Sequence, residues 1–246
     1  ALFTRRWIAA AVVVAVLLSV GAAWYYYPRN SSEKNVTVLT FSSKPGERKS
    51  LQLPDGSKVI LNADSRLELA ADFNQHNRML TLSGEAYFDV VHSPSIPFIV
   101  QTDQIDVKVT GTLFNVNAYK TNTGYETSLI QGAVELTIKS ENRKIVLQPN
   151  QKYIVKNTQR GDSGILIQAF GKAIVEGLQP LQVEGKYNSV AETSWTENKL
   201  AFVDEPFGEV IRKLERWYGV TIELRDSSLV KYSFTATFRD ESIRDV

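Results

Sequence analysis

Two carboxylates, Glu85 and Asp89, stand four residues apart in the run Ser83-Gly-Glu-Ala-Tyr-Phe-Asp-Val90. Paired acids are the working groups of glycoside hydrolases. On a strand these two share a face and lie ~13 Å apart at ~3.3 Å per residue. Glycosidase pairs sit about 5–9.5 Å apart, so the spacing reads as two surface carboxylates rather than an acid–base pair. His76 and His92 are the only histidines, and they are sixteen residues apart in different segments. That is not the short spacing of a metal-ligand pair. Cysteine is absent, which excludes disulfides, thiolate zinc sites and cysteine nucleophiles. The sequence holds no evident Ser-His-Asp arrangement, no Gly-rich phosphate loop and no His-Glu-x-x-His. Catalysis on an external substrate is not expected, nor is a metal or cofactor site. Lys and Arg number 28 against 27 Asp and Glu, with no long basic block. Nucleic-acid binding draws on phosphate neutralisation, so no nucleic-acid partner is expected.

The elements that would position any site begin with a membrane helix. Trp7 to Tyr27 is free of charge over twenty-one residues. As a helix it rises ~31 Å, against a bilayer core of about 30 Å. Trp7 at one end and Trp24, Tyr25, Tyr26 and Tyr27 at the other are rings that settle at headgroup level, and Arg5 and Arg6 place the N-terminus in the cytoplasm. A cleaved signal peptide is the alternative, but the apolar run exceeds the ~7–15 residues of a signal core. Either reading exports the rest of the chain. The chain opens at Ala1 without Met and is expected to be a fragment of a longer protein. The layout predicted is a cytoplasmic flank (1–6), a transmembrane helix (7–27), a juxtamembrane linker (28–35), a β domain (36–175), a second linker (176–194) and an α+β module (195–246).

From residue 36 to about 155 the pattern is short strands of period two. Turns are predicted at Asp55-Gly56, Ser83-Gly84, Thr110-Gly111, Gln131-Gly132 and Pro149-Asn150. This recurrence favours a short β-solenoid, with a β-sandwich as the alternative. Further on, Lys199–Val203 reads as a strand. Asp204 or Glu205 then caps a helix with Pro206 near its first turn. Phe207, Val210, Ile211, Leu214, Trp217 and Tyr218 form its apolar stripe, and Gly219 ends it. Strands are predicted at 220–224 and 230–238. A last helix is expected to begin at Asp240 and be truncated at Val246, giving β-α-β-β-(α).

The runs Leu53-Pro-Asp-Gly-Ser-Lys-Val-Ile-Leu-Asn-Ala-Asp-Ser65, Leu82-Ser-Gly-Glu-Ala-Tyr-Phe-Asp-Val90, Pro97-Phe-Ile-Val-Gln-Thr102, Val109-Thr-Gly-Thr-Leu-Phe-Asn-Val-Asn-Ala-Tyr119 and Thr127-Ser-Leu-Ile-Gln-Gly-Ala-Val-Glu-Leu136 resemble the FecR family of periplasmic sensor domains. Residues 195–246 resemble the C-terminal module that accompanies this domain in Bacteroidota, similar to the secretin and TonB N-terminal fold. The resemblance implies a single-pass inner-membrane anti-sigma factor with its bulk in the periplasm. It implies two protein partners: the periplasmic signalling domain of a TonB-dependent outer-membrane transducer, and an extracytoplasmic-function sigma factor held by a missing segment before Ala1. Some relatives cut themselves within a Gly-Thr pair, matched here by Gly111 and Thr112. Partner contact by strand addition is expected on the C-terminal module, with Leu200, Phe202, Tyr232, Phe234 and Phe238 as candidates. The competing classes are an anchored glycan-binding protein and a structural envelope protein.

Overall fold

The computed structural model describes residues 13–24, 38–156, 176–184 and 189–246. The chain divides into two compact units, Ala1–Thr37 and Val38–Val246. In the first, residues 13–24 form a helix (α1), the middle of the uncharged run. Its Val and Leu side chains are exposed, as is Trp24 at its end. Among the described residues no helix is long and apolar enough to cross a membrane. Trp7, Tyr25, Tyr26 and Tyr27 lie outside the described residues.

The second unit is mainly β. Its first thirteen strands are β1 (Thr40–Ser42), β2 (Lys49–Gln52), β3 (Lys58–Leu61), β4 (Arg66–Leu69), β5 (Arg78–Asp89), β6 (Phe98–Gln101), β7 (Ile105–Val109), β8 (Leu113–Ala118), β9 (Gly124–Gln131), β10 (Val134–Ile138), β11 (Arg143–Leu147), β12 (Gln151–Lys156) and β13 (Gly177–Pro180). They form one curled sheet in which β5 is the pivot. The first part of β5 pairs antiparallel with β4 and parallel with β6. The second part, from Gly84, pairs antiparallel with β8 and β3. One half-sheet therefore runs through β4, β6, β7 and β10, and the other through β3, β8, β9, β12 and β13. Inward side chains of both halves, among them Leu67, Leu80, Phe88, Phe98, Phe114 and Leu136, close one continuous core. Phe88 stacks on Phe114 at 4.9 Å between ring centroids.

This arrangement corrects the solenoid expectation. Every described strand pair is antiparallel except β5 with β6, so the coils are not stacked in parallel. The turn predicted at Ser83-Gly84 is absent too, because the strand continues through it. Gly84 has φ +109°, and a Cβ there would lie 2.3–2.7 Å from Ser65. The glycine is needed where the chain between β3 and β4 crosses the bend at which β5 passes from one half-sheet to the other. Strands that turn sheet corners by such bends are typical of orthogonally packed β structures.

A buried arginine ties the outer end of this sheet. Arg78, at the start of β5, is 2% exposed. Its guanidinium meets Asp55 Oδ2 at 3.2 Å and donates to the carbonyls of Ile96, Val91 and Ser93 at 2.7, 2.9 and 3.3 Å. One side chain thus fixes the β2–β3 turn against the loop that leads into β6.

The C-terminal module pairs β16 (Lys199–Pro206) antiparallel with β17 (Ser233–Arg239), after two short strands, β14 (Val183–Glu184) and β15 (Ser189–Val190). Helix α2 (Phe207–Tyr218) lies on this ribbon and ends at Gly219. Leu200, Phe202 and Val210 are its buried centre, with Phe207, Leu214, Trp217, Phe234 and Phe238 packed around them. Neither Asp204 nor Glu205 caps the helix. β16 runs through both, with a bulge after Phe202, and Pro206 takes the cap position without a side-chain bond. No strand forms at 220–224, and no helix starts at Asp240, where the chain makes a turn instead. The strand predicted at 230–238 begins only at Ser233, because Ser227–Lys231 is a 3₁₀ turn.

Candidate functional site

Alternation in the second half-sheet sends one set of side chains inward and the other outward. The outward set is polar. Glu85, Asn117, Glu126 and Ile154 are direct cross-strand neighbours along β5, β8, β9 and β12. Asn115, Ser128, Lys152 and Gln179 form the adjacent row. A polar face of this kind is ordinarily solvated, but here the C-terminal module covers part of it. Between the two lies a cavity of about 270 Å³, walled by Glu85, Glu126 and Lys152 from the half-sheet and by Trp195, Glu205 and Lys213 from the module side.

Helix α2 is held at this joint from both ends. Near its start, Glu209 Oε1 accepts from the Thr123 amide at 3.0 Å and the Thr123 hydroxyl at 2.6 Å. Near its end, the Gly46 amide donates to the Arg216 carbonyl at 2.8 Å. The Arg216 guanidinium lies 4.0 Å over the Tyr119 ring, and that of Arg48 lies 3.8 Å over Trp217. Arg48 also donates to Asn198 Oδ1 at 2.5 Å. Burial opposes the charge on Glu209, but Arg212 and Thr123 outweigh it and hold the carboxyl below the usual range. Its contribution to the joint is therefore complete above that range and is lost as pH falls through the lowered folded-state value.

The cavity wall concentrates buried charge. Lys152 Nζ lies 3.1 Å from Glu126 and 2.7 Å from Glu192, with its side chain 6% exposed. Burial disfavours the ammonium, yet the two carboxylates raise the Lys152 pKa above the usual lysine range. Burial also works against Glu126, and the Lys152 and Lys213 ammonium groups reverse it, leaving that carboxyl lowered. Glu192 goes the other way, raised by burial and by the neighbouring Glu126 charge. Lys213 pairs with Glu205 at 2.8 Å.

Glu85 accepts from Asn62 Nδ2 at 2.7 Å and Asn115 Nδ2 at 2.9 Å, and burial raises its pKa despite both bonds. A raised acid stabilises the fold fully below the unfolded-state value and loses that contribution as pH rises through the folded-state value. Glu85→Gln keeps the shape without the charge. It is expected to be at least as stable as the parent at neutral pH, and to flatten the fall in unfolding free energy above about pH 4.5. Urea melts across that range check it.

The structure separates most of the residues singled out by sequence. Glu85 is no surface carboxylate but part of the covered face, while Asp89 on the same strand is exposed. His92 is exposed and packs against Gly111, where a Cβ would lie 2.6 Å from its Nδ1 and its Cα. Thr112 is buried, and its hydroxyl donates to the Ala133 carbonyl at 3.0 Å. Leu200 and Phe202 are buried in the module's own core, which takes their side chains away from any partner. Phe234 and Phe238 stack on each other at 6.4 Å and edge onto Phe202, so they are half-spent inside. Of the five candidates Tyr232 alone is open, at 64% exposure, next to exposed Leu229. Sequence reasoning missed Lys152, Glu192, Trp195, Glu209 and Lys213. The one available signal was the long polar row at outward strand positions, which does not announce its cover. Among the described residues no group of His, Cys, Asp and Glu is arranged to hold a metal ion.

Residues 39–135 match the family model described as FecR protein. Residues 199–246 match the model described as FecR, C-terminal. Together the two cover more than half of the chain. Two crystal structures are similar to it, each of a candidate anti-sigma factor from Parabacteroides distasonis ATCC 8503. The first is 29% identical with a TM-score of 0.69, over 84% of this chain and 87% of that one. The second is 27% identical with a TM-score of 0.66, over 85% of this chain and 88% of that one. No curated protein matches the chain.

Proposed function

The chain belongs to the FecR family of anti-sigma regulators, and from that premise we propose that it relays an envelope signal across the inner membrane. The run 7–27 anchors it once, N-terminus in the cytoplasm and bulk in the periplasm. The C-terminal module receives the periplasmic signalling domain of a TonB-dependent outer-membrane transducer. The output is control of an extracytoplasmic-function sigma factor on the cytoplasmic side. The observation that carries this reading is the order of the parts: an uncharged twenty-one-residue run, then the FecR match, then the C-terminal match. The open apolar surface of α1 also supports an anchor, since large exposed apolar patches mark membrane or protein contacts.

The receiving surface is the segment that leads into β17, from the 3₁₀ turn at Leu229 to Tyr232. Capture of the transducer's signalling domain by the full chain tests it. Tyr232→Ala is expected to weaken capture about tenfold, as for an aromatic anchor at an interface, while leaving the melting temperature within a few degrees because the ring is exposed in the free chain. Capture that is insensitive to the module, yet lost on substitution of the β domain's outer face, contradicts the assignment.

Self-cleavage at Gly111-Thr112 belongs to the same proposal. The Thr112 oxygen attacks the Gly111 carbonyl carbon. The amide C–N bond breaks to an ester as the Thr112 nitrogen takes the proton, and water then hydrolyses the ester to acid and alcohol. The purified chain is expected to run as two pieces, 1–111 and 112–246, and Thr112→Ala as one. A single band from the parent chain contradicts it.

A further inference from the structure

We infer that β1 is a releasable strand, latched onto the sheet by helix α2 of the C-terminal module. β1 is the first strand after the N-terminal unit, and by itself it holds the sheet weakly. It is three residues long, pairs with β4 alone among the described strands, and exposes Thr40 and Ser42. Phe41 between them is partly buried and packs against the core. Segments with so few buried contacts open at a small fraction of the global unfolding free energy.

The latch is the turn that follows. It closes on itself, with the Glu47 amide donating to the Lys44 carbonyl at 3.0 Å and the Lys44 amide to Glu47 Oε2 at 2.9 Å. Pro45 and Gly46 then abut the last turn of α2. The last carbonyls of a helix have no partner within it. The Arg216 carbonyl is one of these, and it accepts from the Gly46 amide at 2.8 Å. The approach is close on both sides. A Cβ at Gly219 would lie 3.3 Å from the Pro45 carbonyl oxygen, and one at Gly46 would lie 3.7 Å from the Gly219 nitrogen. Just past the turn, Arg48 covers the Trp217 ring and bonds Asn198, the residue before β16.

A second link reaches the other side of β1. Arg216 lies over Tyr119, whose hydroxyl meets Ser65 Oγ at 3.1 Å. Ser43, the residue after β1, donates its amide to the Ser65 carbonyl at 2.9 Å, and its hydroxyl oxygen accepts from the Ser65 amide at 3.1 Å. The apolar cores of the β domain and of the module are separate clusters. The contacts of the latch are hydrogen bonds and cation–π pairs, so the module shifts without opening either core. A module that moves takes with it the partners of Gly46 and Arg48. β1 then leaves β4, and the chain between the N-terminal unit and β2 is released. The meaning of that release, as the step from received signal to membrane, rests on the proposed relay; the latch itself does not.

Hydrogen–deuterium exchange on the purified full chain tests the latch with no transducer present. Trp217→Leu, which removes the ring beneath Arg48, is expected to speed exchange of the amides between 40 and 48 about tenfold and to leave those of β8 and β9 unchanged. Coupling is reciprocal, so Arg48→Met is expected to speed exchange in the last turn of α2, at 215–219, by a similar factor. The second variant lies outside the module's apolar cluster and serves where the first fails to fold. Unchanged exchange at 40–48 in Trp217→Leu, or at 215–219 in Arg48→Met, overturns the inference. Equal acceleration in β8 and β9 overturns it too, because the whole domain has then loosened. Failure here leaves transducer capture untouched, and failed capture leaves the latch standing.

Discussion

Arg78→Met is expected to lower the unfolding free energy by about 3–5 kcal/mol, a large share of the roughly 5–15 kcal/mol of an ordinary domain. Arg78 and Asp55 are both nearly sealed from water, at 2% and 3% side-chain exposure. Methionine preserves length and fills similar space, so the loss is electrostatic rather than a cavity. It leaves Asp55 as a buried charge whose remaining hydrogen-bond partners among the described residues are the amide and hydroxyl of Ser57. It also strips donors from the carbonyls of Ile96, Val91 and Ser93, each of which then sits without that partner. The companion variant Arg78→Met with Asp55→Leu removes the stranded charge and is expected to recover part of the loss, but not the part owed to the three carbonyls. Urea denaturation measures both. A single-variant loss under about 1 kcal/mol, the size of an exposed ion pair, would mean that the guanidinium is solvated.

Lys152→Met is expected to cost a similar amount, about 3–5 kcal/mol at neutral pH, for a different reason. The lysine is shared by two acids, Glu126 at 3.1 Å and Glu192 at 2.7 Å. Without it two carboxylates face each other at the joint with no counter-charge between them. Their folded-state pKa values then lie above the unfolded ones. Such a contribution is present at low pH and is lost as pH rises, so the variant should draw closer to the parent on acidification toward the carboxylate range. In the parent the sign is opposite for Glu126, whose lowered pKa contributes above that range and fades below it. The raised Lys152 pKa in turn contributes fully below the usual lysine value and is lost only as pH rises past it. Adding Glu192→Gln to Lys152→Met should restore stability at neutral pH and remove most of the acid-induced gain. A pH-independent deficit would show that the effect is one of packing.

The contrast between these two side chains marks how far the sequence could be read. The alternation of Val59, Leu61, Leu67, Leu69 and Val107 with polar neighbours announces strands and their inner face, and those residues are buried as expected. Turns at Asp55-Gly56, Gln131-Gly132 and Pro149-Asn150 fall between strands as their turn chemistry requires. The stripe from Phe207 to Tyr218 forms its helix. Alternation tells which residues share a face, however, and not what lies over it. Glu85, Glu126 and Lys152 occupy outward positions that look solvated in a linear reading, yet Glu85 and Lys152 are buried and all three line the cavity beneath the C-terminal module. Gly84 misled in a related way. A glycine between two strand-like runs signals a turn, and here it serves a close crossing inside one strand. Arg78 gave no local signal, because its partners at 55, 91, 93 and 96 are set by tertiary structure. The ribbon residues Leu200 and Phe202 turn their side chains into the module's own core, and an apolar strand reads alike whether it awaits a partner or already has one in α2.

In the relay we propose, the folded mass of this chain faces the periplasm while its N-terminus stays inside. The parent has no cysteine, so a single introduced thiol reports its side of the membrane without background. Tyr232→Cys, at an exposed position on the module, should react with a membrane-impermeant maleimide once the outer membrane alone is permeabilised. Thr4→Cys should react only after the inner membrane is broken. Protection of Cys at position 232 until the inner membrane is lysed would contradict the account.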